Sequence, residues 1–231
     1  ISHNGKIYVG NQDKRLLFNY NNSNEQKVDN WNEAMNVNTK ETVIYCSEDL
    51  EFEPLIEVVR YDNENYNEEL KPINGIGEWI VFNNYIYIAT NSSGGVKLWR
   101  YMPNNSGEDN FTLVSPNVAR DSRYKYVRAM ATYKIDLKEY LYISIGAEVL
   151  DNLTNPIGAE LVRIDTDENC ELVIGGEPDL ETNSLSTKSR GFGNDFNVSI
   201  LCMAQFGDKF VAVTFNEGYN IETIKEIFLL N

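Results

Sequence analysis

One short pattern keeps returning along the chain. Five segments alternate aromatic or long apolar residues with β-branched ones: Lys6-Ile-Tyr-Val-Gly10, Thr42-Val-Ile-Tyr-Cys46, Tyr85-Ile-Tyr-Ile-Ala-Thr90, Tyr140-Leu-Tyr-Ile-Ser144 and Lys209-Phe-Val-Ala-Val213. Alternation at period two sends one set of side chains to each face of a sheet, so each segment reads as a strand. Aligned on Tyr8, Tyr45, Tyr87, Tyr142 and Phe210, the segments recur at steps of 37, 42, 55 and 68 residues. Repetition on this scale constrains the chain strongly. It must build one small unit several times and stack the copies, because one unit cannot bury its apolar face alone.

Three further strands complete the unit. Val58-Val-Arg-Tyr61, Leu98-Trp-Arg-Tyr101 and Leu161-Val-Arg-Ile164 follow the first pattern, with Gly94-Gly95 and Gly158 ahead of two of them. Glycine in a hairpin connection supplies positive φ or flexibility. Leu16 to Tyr20 and Ile224 to Leu230 hold the same place without the Arg. Next come Glu69 to Ile73, Phe111 to Ser115 and Cys170 to Ile174, each after a polar link. A strand also precedes each first one: Glu78 to Phe82, Val127 to Tyr133 and Ile200 to Phe206, the last two sharing a Met-Ala step and a closing aromatic. Asn4-Gly5, Asn83-Asn84 and Gly207-Asp208 then turn the chain, and Asn-Gly between apolar runs is a strong hairpin signal.

The expected fold is all-β. It is a β-propeller of about five four-stranded blade-like repeats, over 1–35, 36–77, 78–120, 121–190 and 191–231, in one domain spanning 1–231. A β-sandwich also has many short strands, but it gives no reason for the recurring Val-Arg-Tyr, Trp-Arg-Tyr and Val-Arg-Ile. The chain opens on Ile1. We therefore expect a processed product or a piece of a longer protein, with the ring either closed in an unusual way or part of a larger propeller.

Tyr85-Ile-Tyr-Ile-Ala-Thr with Gly95-Val-Lys-Leu-Trp-Arg100, and Leu141-Tyr-Ile-Ser-Ile-Gly with Gly158-Ala-Glu-Leu-Val-Arg163, resemble a diffuse group of β-propeller repeat proteins whose blades carry a "LYVGT … GAELWR" pattern. Gly191-Phe-Gly-Asn194 and Met203-Ala204 extend the resemblance, which runs well over 70–215 and poorly over the first 70 residues. It implies the fold. It does not imply one activity, because propellers host lectins, hydrolases, scaffolds and receptor modules.

Composition narrows the function classes. Twenty Lys and Arg against 35 Asp and Glu give a net charge of −15, which argues against a nucleic-acid partner. No apolar run approaches the ~20 residues of a membrane-spanning helix. A single histidine, His3, near the N-terminus, argues against multi-His metal sites and His-based triads. Cys46, Cys170 and Cys202 form neither a disulfide framework nor a CxxC site. There is no P-loop, nucleophile elbow or dinucleotide fingerprint.

Few residues invite a functional reading. Arg60, Arg100 and Arg163 would bind an anion if they lined one surface, but repetition favours local pairing with a carboxylate or an aromatic. Trp99 holds a core position, whereas Trp31 and Trp79 are less constrained. Asp165-Thr-Asp-Glu-Asn169 opens like a calcium loop, yet Cys170 and Gly176 stand where such a loop needs Gly and Glu. Glu78 and Asp136 sit at inner-strand ends, where a glycosidase would need paired carboxylates. Asn21, Asn91, Asn104, Asn110, Asn152 and Asn197 fit the glycosylation pattern in a chain rich in Asn. The longest loop is Glu177 to Asn197. The expected function is a non-catalytic module, without cofactor or metal, that binds a protein or glycan through loops on one face. It would work outside the cell or on a surface. The alternatives are a carbohydrate-active hydrolase and a structural component of a particle.

Overall fold

Every strand that the alternation marks is short and pairs antiparallel with its neighbour in sequence. The structure, a computed structural model, describes residues 1–10, 42–47, 53–59, 73–92, 95–102, 110–115, 123–147, 156–176, 183–216 and 227–230. Four antiparallel sheets result. The first holds β1 (Ser2–His3), β2 (Lys6–Gly10), β3 (Thr42–Ser47) and β4 (Glu53–Val59) in chain order. The second holds β5 (Ile73–Phe82), β6 (Tyr85–Ser92), β7 (Lys97–Met102) and β8 (Asn110–Ser115). The third holds β10 (Met130–Ile135), β11 (Lys138–Ala147), β12 (Glu160–Ile164) and β13 (Cys170–Ile174), with β9 (Tyr124–Tyr126) beside the far end of β11. The fourth holds β14 (Asn197–Phe206), β15 (Lys209–Asn216) and β16 (Ile227–Leu230).

The division into repeats differs from the sequence reading at the N-terminal end. Lys6–Gly10 and Thr42–Ser47, expected in separate units, are paired strands of one sheet, with Tyr8 opposite Cys46. Both have the same alternating pattern, and pattern alone cannot say whether two similar strands are equivalent or adjacent. Leu16 to Tyr20, Arg60 and Trp31 lie outside the described residues, as does Glu69 to Lys71 ahead of β5.

Period-two alternation decides how the sheets stack. On β6, Ile86 and Ile88 join a core with Tyr8 of the first sheet, while Tyr87 and Ala89 join a core with the third sheet. On β7, Trp99 and Tyr101 face the first sheet and Leu98 faces the third. The third sheet repeats this arrangement. Leu141, Ile143, Val162 and Ile164 pack toward the second sheet, and Tyr142 and Leu161 pack toward Ile200, Phe210 and Ala212 of the fourth. The two middle sheets are therefore apolar on both faces and covered on both. A strand with one solvated face needs only half as many apolar residues.

Phe210 corrects the alignment used above. Tyr8, Tyr87 and Tyr142 each face the following sheet, but Phe210 faces the preceding one, against Tyr142 at 4.7 Å between ring centroids. The residue equivalent to Tyr87 is Val211, because Gly207-Asp208 closes its hairpin on Phe206 and Lys209 as Asn83-Asn84 closes on Phe82 and Tyr85.

Val127 to Tyr133 is not one strand. The chain leaves the sheet at 127–129, between β9 and β10. Buried side chains replace the ladder there. The Ala129 N–H donates to Ser144 Oγ at 2.9 Å, and Ser144 Oγ donates to the Ile200 carbonyl at 3.3 Å in the fourth sheet. The Val127 N–H donates to Asn91 Oδ1 at 2.9 Å in the second sheet. Three sheets thus meet at one polar junction whose hydroxyl and amide substitute for lost backbone partners.

Gly158 has a different role from the one expected. Its φ is not positive. A Cβ on it would lie 2.6 Å from the Gly191 nitrogen and 2.9 Å from the Arg190 carbonyl carbon. Close backbone approach, rather than turn conformation, requires glycine here.

Ser144→Ala should lower stability by about 1–3 kcal/mol, because it strands the buried Ala129 N–H. Denaturant unfolding should show a lower midpoint with unchanged slope. A midpoint equal to wild type would mean that the junction does not hold the sheets.

Candidate functional site

The hairpin turns of all four sheets come to one edge of the stack. Asn4 and Gly5 have φ of 49° and 78°, Asn83 and Asn84 48° and 64°, and Asp136 and Leu137 48° and 69°. Positive φ at both central residues marks the type I′ turn, whose twist suits a hairpin and whose usual residues are Asn, Asp and Gly. Gly207 alone is positive in the fourth turn, at 63°, as in type II′.

Neighbouring turns are tied to one another. His3 Nε2 lies 3.1 Å from the Asn84 carbonyl, Asn83 Nδ2 donates to the Thr166 carbonyl at 3.3 Å, and Tyr133 Oη donates to the Asp208 carbonyl at 2.7 Å. Each bond joins one sheet to the next. Carbonyls and amides at turn tips would otherwise be solvated, so these links fix the turns relative to each other.

The recurrent arginines belong to the same edge. Arg100 on β7 lies opposite Tyr87, and Arg163 on β12 lies opposite Tyr142. Each guanidinium covers a tyrosine ring two residues earlier on the facing strand: Arg100 over Tyr85 at 4.7 Å, and Arg163 over Tyr140 at 4.1 Å. Each also meets a carboxylate, Arg100 with Glu168 at 2.7 Å and Arg163 with Glu171 at 2.8 Å. The expected local pairing with a carboxylate is what the structure shows for Arg163, and both arginines cover an aromatic as expected. Glu171 belongs to the same sheet as Arg163, but Glu168 reaches across from the third sheet to the second. It accepts from Tyr87 Oη at 2.9 Å as well. Burial, and then the bond to Glu168, push the Tyr87 hydroxyl well above the usual tyrosine range, while Arg100 partly opposes them. Tyr87 is thus a neutral donor to Glu168 across the physiological range.

The Asp165 loop is closed on itself. Oδ1 accepts the N–H groups of Asp167 and Asn169 at 3.0 Å each, and Oδ2 accepts Asn169 Nδ2 at 3.1 Å and Lys138 Nζ at 3.2 Å. Burial alone would raise the Asp165 pKa. The Asn169 amide, the two backbone N–H groups and Lys138 outweigh it and lower the pKa to about 2. This carboxylate organises a turn. Among the described residues no three His, Cys, Asp or Glu side chains gather as metal ligands.

Other residues read from the sequence are dispersed. Glu78 Oε1 accepts the N–H of adjacent Trp79 at 3.2 Å, within β5, while Asp136 sits on a hairpin tip of the next sheet. Trp79 packs half-buried against the core between the first two sheets. Trp99 is core, its Nε1 donating to Thr90 Oγ1 at 3.1 Å. Asn91 and Asn197 are buried and bonded, so those two glycosylation patterns face inward. The described part of the long loop, 183–196, is fastened along β13: Leu185 and Ser186 donate backbone N–H groups to the Leu172 and Val173 carbonyls. Arg190 grips Asp195 through two bonds of 2.6 and 2.9 Å. This segment covers an open strand edge.

Leu137 escaped the sequence reading. It is 99% exposed and sits in the left-handed region, where its repeat equivalents are Gly5 and Asn84. Comparing the turn dipeptides of the repeats would have exposed it: Asn-Gly, Asn-Asn, Asp-Leu. Glu168 also escaped notice, because it lay within a stretch read only as a turn.

Compared with family models, curated proteins and solved structures, the chain matches none.

Asp165 has a folded pKa below its unfolded value, so its contribution to stability is present above about pH 4 and is lost as pH falls toward 2. Asp165→Asn should be less stable than wild type at pH 7 and show a shallower loss between pH 4 and 2. Parallel stability curves for the two proteins would contradict this role.

Proposed function

We propose that the sheets are blades of a β-propeller, and that the protein is a non-catalytic module binding a protein or glycan through its turn edge. Two features support the blade arrangement. The sheets pack in chain order with both faces of the middle pair covered. β10 touches β5 and β14, while the last strands β8 and β13 share no comparable contact, so first strands converge and last strands spread. That wedge is what radial packing needs.

Leu137 carries the binding proposal. A bulky side chain with left-handed backbone is disfavoured by roughly 1–2 kcal/mol, and nothing in the fold covers this leucine. Local rules broken without structural gain point to function. The edge around it is polar and pinned from sheet to sheet, so an exposed apolar tip stands on a rigid platform. Rigid platforms with exposed anchors suit recognition, because little entropy is lost on binding. A location outside the cell or on a surface belongs to the same proposal.

Leu137→Asn tests the binding reading. It should raise stability by about 1 kcal/mol, since Asn tolerates left-handed φ, and should weaken binding at least tenfold to whatever partner a glycan array or protein display screen returns. Stabilisation with undiminished binding would move the site elsewhere. Destabilisation would show that the leucine is structural.

A further inference from the structure

Leu137 has neither a hydrogen-bonding group nor a ring face on its side chain, and it stands 99% exposed on its hairpin. That hairpin is held from two directions. Lys138 Nζ donates to Asp165 Oδ2 at 3.2 Å, and Tyr133 Oη donates to the Asp208 carbonyl of the fourth sheet at 2.7 Å. The nearby groups that could read a sugar are engaged. Tyr85 packs on the core and lies under Arg100, Tyr140 packs on the core and lies under Arg163, and Tyr133 stacks on Phe210 at 5.1 Å. Asn83 bonds the Thr166 carbonyl, Glu168 holds Tyr87 and Arg100, and Glu171 holds Arg163. Phe206, beside the fourth turn, is a ring still open to solvent, but Gln205 next to it already bonds the Gly207 carbonyl.

We infer that the turn edge recognises a different protein, one that offers an apolar pocket for a single leucine within a basic surface. The inference rests on the reading that Leu137 anchors this edge, and it names the class of partner. An aliphatic side chain gains by leaving water, so its site must be concave and apolar. A sugar chain, covered in hydroxyls, offers no such pocket. A lipid bilayer offers an apolar medium, but even one long acyl chain binds it only marginally, and a leucine is far shorter. Anionic lipid also repels a chain of net charge −15. The same charge opposes a second copy of this chain and draws in a cationic partner. Leucine burial should then govern dissociation, and charge should govern association.

Four probes presented to the full chain test the inference: a surface-displayed library of protein domains, an array of neutral and anionic glycans, vesicles of phosphatidylcholine with phosphatidylserine, and the chain itself. The expected result is saturable binding to displayed domains that dissociate at least about tenfold faster from Leu137→Asn. Their association should slow at least about threefold between roughly 50 and 500 mM salt. Leu185→Asn, which removes an exposed leucine from the loop along β13, should change neither rate. Glycan binding, vesicle binding or self-association that Leu137→Asn weakens overturns the partner class and keeps the edge. Glycan binding that Phe206→Ser abolishes and Leu137→Asn spares overturns the Leu137 reading as well. So do displayed domains indifferent to Leu137→Asn, or no saturable binder from any probe. Association that ignores salt overturns the basic surface.

Discussion

The two middle sheets have no polar face. Ile86, Ile88, Trp99 and Tyr101 point one way and Tyr87, Ala89 and Leu98 the other, and both sets are buried. Such a sheet is insoluble unless something covers each side, and the rest of the architecture follows from that requirement. The first sheet covers one side of the second through Tyr8. The third covers the other side and needs the fourth in turn. The stack is a chain of dependencies, so stability is expected to be shared between neighbours, as in other repeat proteins.

Polar groups set the geometry that apolar packing leaves loose. Ser144 and Asn91 hold the point where the inner strand of the third sheet breaks, and they fix its distance from both neighbours. At the opposite extreme of these strands, Glu168 ties Tyr87 and Arg100 to the third sheet. Arg100 and Glu168 are both partly exposed, so their ion pair contributes little beyond orientation. The value of these contacts lies in direction. They stop flat apolar faces from sliding, and they keep the turns of successive sheets level.

Much of this was legible in the sequence. Alternation revealed β2, β3, β6, β11 and β15, and Asn4-Gly5, Asn83-Asn84 and Gly207-Asp208 marked the turns that the structure shows. Cys170 to Ile174 matches β13 residue for residue. Face was less legible than strand. Phe210 has the look of Tyr142 but lies on the opposite side, because a shift of one residue reverses orientation without altering composition. Pairing was less legible again: β2 and β3 are partners although their patterns resembled separate repeats. The buried junction at Ser144 was invisible, since a serine within a strand gives no sign of bonding across two sheets. Leu137 was legible only by comparison among turns.

Hydrogen exchange, resolved by strand at low protein concentration, tests the serial stacking most directly. The stacking account predicts slowest exchange in β6, β7, β11 and β12, faster exchange in β15, and fastest among these in β14, where Cys202, Ala204 and Phe206 are exposed. Protection in β14 and β15 equal to that in β6 and β11, or four sheets exchanging independently, would contradict a fold in which each sheet is held by its neighbours.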